Sequence, residues 1–577
     1  MRRFGVCGLA LAVVFVASPV GAVRARQAGA AAAPAVAVSP GFVEERRAAE
    51  RITAERLKEI LYFIASDEMA GRDTPSQGLD ATAQYIADRL KKLKVKPAGD
   101  KGSYFQRITL RSTLVDREKT QAALGAQVFK FGQDFLAGGR ASGEAEGQVV
   151  YAGHGWVVKS KNIDAYEGLD VRDRIVVVSG DGAALPPGLT AAELQSLPGG
   201  DWETPVSYAR KHGAKGLVLI PRNFQRRWLY GAFSAGRASY KVVKPGKGLG
   251  AEEESDEEEE GEPTAVEGHD LPAVIPSYAM LNALFAGEEA DGARVLRAAT
   301  GGEPVKGFAL DASKRLRLSV QLTEQEATTQ NVVGVLEGRD SKLRREYVAL
   351  GAHYDHVGVG RPDQSGDRIY NGADDDGSGT TALLAMAEAW SKGRRPKRSI
   401  LFVWHAAEEK GLWGSEYFTD YPTVPLGQVV AQLNIDMIGR SKAPGDTKPA
   451  NKMLTGPDEI YVIGSRMMST ELGGLTEAVN RAYLGLNFNF HYDQPGDPER
   501  LFSRSDHYNY ARKGIPIVFF FDGVHEDYHK PSDSPDKIDY EKMTKVTRTV
   551  FLLATELGNA PRRPVVDKPL QSATTER

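Results

Sequence analysis

The chain has 577 residues, a single cysteine and a formal net charge of −3, from 73 Lys and Arg against 76 Asp and Glu. Its length suggests about three or four domains' worth of chain, and 41% hydrophobic with 26% charged residues excludes a collagen-like or wholly disordered protein. One cysteine excludes an internal disulfide framework and a cysteine-based zinc finger, and the near-even charge gives no sign of a nucleic-acid partner.

Residues 1–22 predict a signal peptide: Arg2 and Arg3 are the positive start, Phe4 to Val16 the apolar run, and Val20-Gly21-Ala22 the cleavage site. That run is short for a bilayer span of about 20 residues. The expectation is a periplasmic or secreted protein without stable membrane insertion, with a retained anchor as the competing reading. Cleavage after Ala22 removes Cys7 and two arginines, leaving 71 basic against 76 acidic residues, a balance of −5. Residues 23–40 are Ala- and Pro-rich and read as a linker. Amphipathic helices are expected over 43–65 and 78–93. From about 141 to 298, short β runs such as Gln148-Val-Val-Tyr-Ala and Arg174-Ile-Val-Val-Val, bounded by Gly and Asp, predict a small β-rich unit. Within it, nine of the twelve residues 251–262 (AEEESDEEEEGE) are acidic, a solvated loop that alone makes the mature chain acidic. From 299 to 560, alternating strand and helix predict a mostly parallel central sheet with helices on both faces, an α/β class. Residues 561–577 form a tail.

Four apolar runs of this last part lead to residues that carry chemistry. Tyr347-Val-Ala-Leu-Gly-Ala stops at His353, Ser399-Ile-Leu-Phe-Val-Trp just before Glu408 and Glu409, Gln432-Leu-Asn-Ile at Asp436, and Ile515–Phe521 runs toward His529. Open α/β sheets bind ligands outside the carboxyl ends of their strands, so four such ends predict one site. Two histidines and three carboxylates suit zinc. A second metal about 3.5–4 Å away needs a bridging carboxylate, and the Asp run before Gly377-Ser378-Gly379 offers one at the mouth of a helix expected over 378–392. Of two adjacent glutamates past a strand end, one can ligate while its neighbour faces a water as general base. Asp355 and Asp533 are expected to hold the far ring nitrogens of His353 and His529. An EF-hand from Asp374 would need Glu where Ala385 stands.

The segments GAHYDH (351–356), NGADDDGSG (371–379), HAAEEKGLWGS (405–415), NIDMIG (434–439) and YHKPSD (528–533), in this order, resemble metallopeptidase family 28, the co-catalytic zinc peptidases. The resemblance implies a zinc-peptidase fold over 41–140 and 299–560 and two zinc ions per chain. It implies His353 and Asp436 on one metal, Glu409 and His529 on the other, and Asp375 bridging both. It implies Glu408 as general base and Tyr528 as a residue helping to stabilise the oxyanion. The unit at 141–298 is similar to a protease-associated domain, which implies a role in shaping or covering the substrate cleft. Among substrates the resemblance favours peptides trimmed by an aminopeptidase. A carboxypeptidase or dipeptidase, a glutaminyl-cyclase-like acyltransferase and a non-catalytic binding relative are the alternatives. Asn487–Ser505 contains Asp493, Asp497, Glu499, Arg500 and Arg504 for either peptide terminus, and Phe488, Phe490 and Tyr492 as candidates to line an apolar pocket. His356, His405, His507 and His525 lie close to the motifs and are candidates to line the cleft.

Overall fold

The computed structural model describes residues 38–568 and 570, apart from 139–141, 181–184, 187, 199, 226, 227, 229–234, 236, 247–270 and 302. The predicted leader, most of the linker, the acidic loop and the last seven residues lie outside the described residues.

The protein is α/β. We number the strands of its main sheet β1 (Phe105–Val115), β2 (Ser239–Val242), β3 (Leu322–Leu336), β4 (Tyr347–His353), β5 (Ser399–His405), β6 (Val429–Ile435), β7 (Glu459–Ile463), β8 (Asn487–Asn489) and β9 (Ile517–Phe521). Their spatial order is β2-β1-β3-β5-β4-β6-β9-β7-β8, with the short strand Lys96–Pro97 also on β3. The centre, β5-β4-β6-β9, is parallel, as the sequence predicts. The flanks are mixed: β3 pairs antiparallel with β1 and β5, and β7 pairs antiparallel with β9.

The central strands read as unbroken apolar runs because both faces are covered. Val348, Leu350 and Ala352 of β4 and Ile400, Phe402 and Trp404 of β5 face one core, while Ala349, Leu401 and Val403 face another. The first core is roofed by α1 (Phe42–Ala49), α2 (Ala54–Ile64), α3 (Gln77–Lys92) and α4 (Gly377–Ser391). The second takes Phe418 of α5 (Trp413–Asp420). Two more helices, α6 (Thr470–Ala482) and α8 (Tyr540–Asn559), belong to the first face; α7 (His507–Arg512) lies between them in sequence and packs on the second. Each fully buried Leu, Ile or Phe in these layers contributes about 1.5–3 kcal/mol. The caps are local: Thr53, Ser76, Asp376 and Asp539 accept backbone N–H groups in the first turns of α2, α3, α4 and α8.

A second sheet of nine strands takes its members from Gln121–Leu124 through Arg315–Val320, reaching past the 141–298 span on both sides. Gly143–Tyr151, Ile175–Val178, Gly216–Leu219 and Ala273–Pro276 form its parallel centre. The chain leaves the main sheet at Val115 and returns beside it at Leu322, its Cα partner. The β1–β3 ribbon is exposed at this end and buried beyond Thr329, so it runs from solvent into the core. One strand from the excursion, β2, docks antiparallel on β1 as an edge of the main sheet.

Candidate metal centre

The chain turns sharply where the central strands end. Past β5, Ala407 adopts a left-handed backbone with φ 58°, and Met437 (φ 58°) and His529 (φ 54°) do the same after β6 and β9. Such conformations in non-glycine residues cost about 1–3 kcal/mol each and persist only where the surroundings impose them. The surroundings are visible here. The carboxylate of Asp355 accepts the N–H of Glu408 at 3.1 Å and of Glu409 at 3.4 Å, which fixes the turn carrying both glutamates. Asp533 Oδ2 accepts the N–H groups of Asp374 and Asp375, at 3.0 and 3.2 Å. Asp376 accepts the N–H of His353 and of Gly379 at the start of α4.

These supports converge the predicted side chains on one place. His353 Nε2 is 3.2 Å from Asp375 Oδ1 and 3.6 Å from Asp436 Oδ1. His529 Nε2 is 3.1 Å from Asp375 Oδ2 and 3.0 Å from Glu409 Oε2. Asp375 thus shows one oxygen to each histidine. Glu408 Oε2 stands 3.9 Å from His353 Nε2 and belongs to neither donor group. Tyr528 stacks on the His529 ring at 3.9 Å. Two donor groups result, sharing Asp375: His353, Asp375 and Asp436, and His356, Asp375, Glu409 and His529.

The donors fit divalent metal. Two atoms bound to one zinc at about 2.0–2.1 Å and near the tetrahedral angle lie about 3.3 Å apart, and the His–carboxylate separations scatter around that value. Nε2 of His353 and of His529, both ring nitrogens of His356 and Oε1 of Glu409 are buried with no hydrogen-bond partner. Buried polar atoms are ordinarily paired, so the four of these that face one another, Nε2 of His353 and of His529, Nδ1 of His356 and Oε1 of Glu409, mark a place for a cation.

The charges are strongly coupled. Burial would raise the Asp375 carboxyl, but His356, His353 and His529 outweigh it and hold it well below the usual carboxylate range. Glu409 is held at about 2: burial and Asp375 push it up, and His529 and His356 pull it down further. Glu408 is pushed the other way, well above the usual range, by burial and by the carboxylates of Glu409, Asp436 and Asp506, against the pull of His353. Burial is also the main reason that the Tyr528 phenol stays protonated far into the alkaline range, with Asp375, Glu409 and Glu408 adding to it.

Several expected supports act differently. The Asp355 carboxylate serves the Glu408–Glu409 turn; its backbone carbonyl lies 3.2 Å from His353 Nδ1, closer than its carboxylate at 3.6 Å. Asp533 supports the Asp374–Asp375 backbone rather than the His529 ring. Phe488 and Phe490 pack against the main core, where β8 needs apolar cover. Of the four nearby histidines, only His356 enters a donor group. His405 is buried between Asp506 and Tyr510, His507 stacks on Phe519, and His525 meets Asp374. The sequence reading gave no supporting role to Ser505, whose hydroxyl donates to Asp436 Oδ2 at 2.7 Å, or to the Arg72 side chain. Apart from Ile64, eight residues before Arg72, their partners are tens to hundreds of residues away, and no local pattern announces them.

Comparison with known proteins places this centre. Residues 331–554, which hold every donor named above, match peptidase family M28. A "Probable leucine aminopeptidase" of Arthroderma benhamiae is 25% identical over 250 residues, 42% of this chain and 61% of its own length. "Leucine aminopeptidase 1" of Coccidioides posadasii is 29% identical over 242 residues, 40% of this chain and 56% of its own length. The chain therefore spans about three fifths of the curated relatives it matches. An aminopeptidase from Aneurinibacillus sp. strain AM-1 aligns over 91% of this chain and 98% of its own, at 18% identity and a TM-score of 0.49. The motif order and the two linked donor groups agree with the match of residues 331–554 to peptidase family M28.

Proposed function

We propose that the chain is an exported zinc exopeptidase, an aminopeptidase, hydrolysing peptide bonds at a two-metal centre. The observation that carries this reading is Asp375, with one carboxylate oxygen toward His353 and the other toward His529, beside a Glu408 that belongs to neither group. His353 and Asp436 would hold one metal, Glu409 and His529 the other, and Asp375 would serve both. Imidazole with carboxylate favours zinc over magnesium or calcium, which prefer oxygen-only sites. When bound, the zinc ions supply the Lewis acidity that polarises a scissile carbonyl and acidifies water. The protein's own part is proton handling and orientation. Glu408 takes a proton from the attacking water and returns it to the leaving amine. The Tyr528 hydroxyl donates to the oxyanion of the tetrahedral intermediate.

The apolar cluster around Met437, Tyr461, Tyr492, Phe519 and Phe521 leaves Phe502, Val524 and Tyr528 partly exposed beside the centre. That surface suits an apolar terminal side chain, in keeping with relatives named as leucine aminopeptidases. A carboxypeptidase reading draws on Arg504, whose charge is felt at Tyr528; mass-spectrometric digestion of a peptide library separates the two by the terminus that is trimmed. Export is supported by the leader pattern of residues 1–22, and among the described residues no helix is long and apolar enough to cross a membrane. The protease-associated-like unit shapes the cleft in this reading: Arg237 Nη2 donates to the carbonyl of Val359, three residues past His356, at 2.9 Å.

Glu408→Gln tests the assignment. The variant should bind as much zinc as the wild type and lose about 10²–10⁴-fold in kcat, read by elemental analysis and by hydrolysis of amino-acid anilides. Undiminished turnover overturns the role of Glu408. One metal per chain with cyclisation of N-terminal glutamine overturns the peptidase reading.

A further inference from the structure

His356 lies outside the ligand set that the motifs imply, yet its ring is fully buried in the centre. Its Nδ1 is 2.8 Å from Glu409 Oε1 and 3.7 Å from Asp375 Oδ2. The 2.8 Å pair lacks hydrogen-bond geometry, and neither nitrogen of the ring has another partner. Two contacts set the ring in place. The backbone N–H of His356 donates to the Arg72 carbonyl at 3.1 Å. Gly372 lies directly beneath the ring, where a Cβ would come within 2.5 Å of His356 Cγ. The ring also meets His529 edge-on, with centroids 5.5 Å apart. A buried imidazole with both nitrogens unpaired is costly, and a cation shared with Glu409, Asp375 and His529 gives Nδ1, the nitrogen that faces them, its partner.

We propose that His356 is a fourth protein ligand to the metal held by Asp375, Glu409 and His529, so that the two metal positions are unequal. Tetrahedral sites with four protein ligands are closed, whereas sites with three leave a position for water or substrate. The Asp375–Glu409–His529 position is then closed by protein, and the His353–Asp375–Asp436 position is the open one. Glu408 stands on the side of the open position, 3.9 Å from His353. The inference rests on the two-metal reading above and assigns a division of labour within it: one ion anchors the bridge, and the other meets the substrate.

The test uses the full chain loaded with Co²⁺ in place of zinc. In the wild type, proton NMR should show three hyperfine-shifted, solvent-exchangeable imidazole N–H signals, from His353, His356 and His529. His356→Gln should show two, and its affinity for one of two Co²⁺ ions should fall by about a hundredfold or more. Loss of a mere hydrogen-bond partner of a ligand costs about 10–100-fold in affinity and leaves the other histidine signals in place. Two bound Co²⁺ with only two such signals in the wild type overturns the proposal, as does a His356→Gln spectrum and affinity equal to wild type. The wild-type count decides the matter even if the variant does not fold. Fewer than two Co²⁺ in the wild type overturns the two-metal reading itself, a separate outcome.

Discussion

Arg72 donates four hydrogen bonds to backbone carbonyls: Nε to Tyr354, Nη1 to Ile64 and Asn371, and Nη2 to Gly372, at 2.7–2.9 Å. It thereby ties the end of α2 to the loop after His353 and to the loop before Asp375. Burial depresses its pKa, offset by Asp355, Asp375, Asp376 and Asp533. A lysine cannot reproduce the planar fork. Arg72→Lys should leave at least two buried carbonyls unmet and cost about 2–5 kcal/mol, read as a lower urea midpoint, with weaker zinc retention under dialysis. The contrast with His353, Asp436 and Glu409 shows what was legible at this scale. Those residues end or follow apolar runs of a parallel sheet, whose carboxyl ends gather at one crevice, so their place was legible though the direction of each side chain was not. His356 and Arg72 are set by loops that meet across 284 positions of sequence, through the bond from His356 N to Arg72 O. The second histidine three residues after the first was visible in HYDH, but past a strand end neither a two- nor a 3.6-residue period says where a side chain points.

At the scale of elements, the apolar central strands were readable because burial on both faces leaves an unbroken hydrophobic run. The β1–β3 ribbon was not, since Leu322–Thr328 is mostly exposed and polar and its strand character comes only from pairing with β1. Helix packing carries a second, titratable feature. Glu45 of α1 lies within electrostatic reach of Glu556 of α8; Asn559 donates to Glu45 Oε1 at 2.7 Å, and Ser39 donates to Glu556 from both N and Oγ. Burial first, and then Glu556, raise the Glu45 carboxyl to about 8 from 4.5. The folded chain therefore binds this proton more tightly than the unfolded chain does. The sign of linkage follows: the stability contributed is present below pH 4.5 and is lost as pH rises toward 8. Glu45→Gln keeps a donor without the ionisation. It should raise Tm relative to wild type above pH 8 and make no difference below pH 4.5, with both proteins scanned at equal zinc.

At the scale of the whole molecule, every candidate ligand lies between residues 353 and 529, after the second sheet has ended at Val320. The Gly-bounded β runs of the sequence fall on strands of the second sheet. Its edges were less visible, because Gln121–Leu124 and Gln127–Lys130 are short, half-exposed strands without an apolar run. The chain passes between the two sheets through an antiparallel ribbon, where Val115 faces Leu322 and the N–H of Asp116 donates to the Gln321 carbonyl at 2.8 Å. Replacing residues 116–321 by an Asn-Gly turn should close the ribbon as an ordinary hairpin. The shortened chain should unfold cooperatively and bind the same amount of zinc per molecule, because none of the candidate ligands is lost. It also loses β2, which covers the β1 edge from Leu110 to Thr113, and a bare edge invites pairing with another copy. Arg111 keeps that edge charged, and size-exclusion chromatography reports whether the product stays monomeric. Hydrolysis of single amino-acid anilides should survive the excision, while the selectivity for longer peptides changes with loss of the Arg237 contact to the Val359 loop. Loss of zinc binding in a folded, monomeric product would show instead that the second sheet is part of what holds the metal centre together.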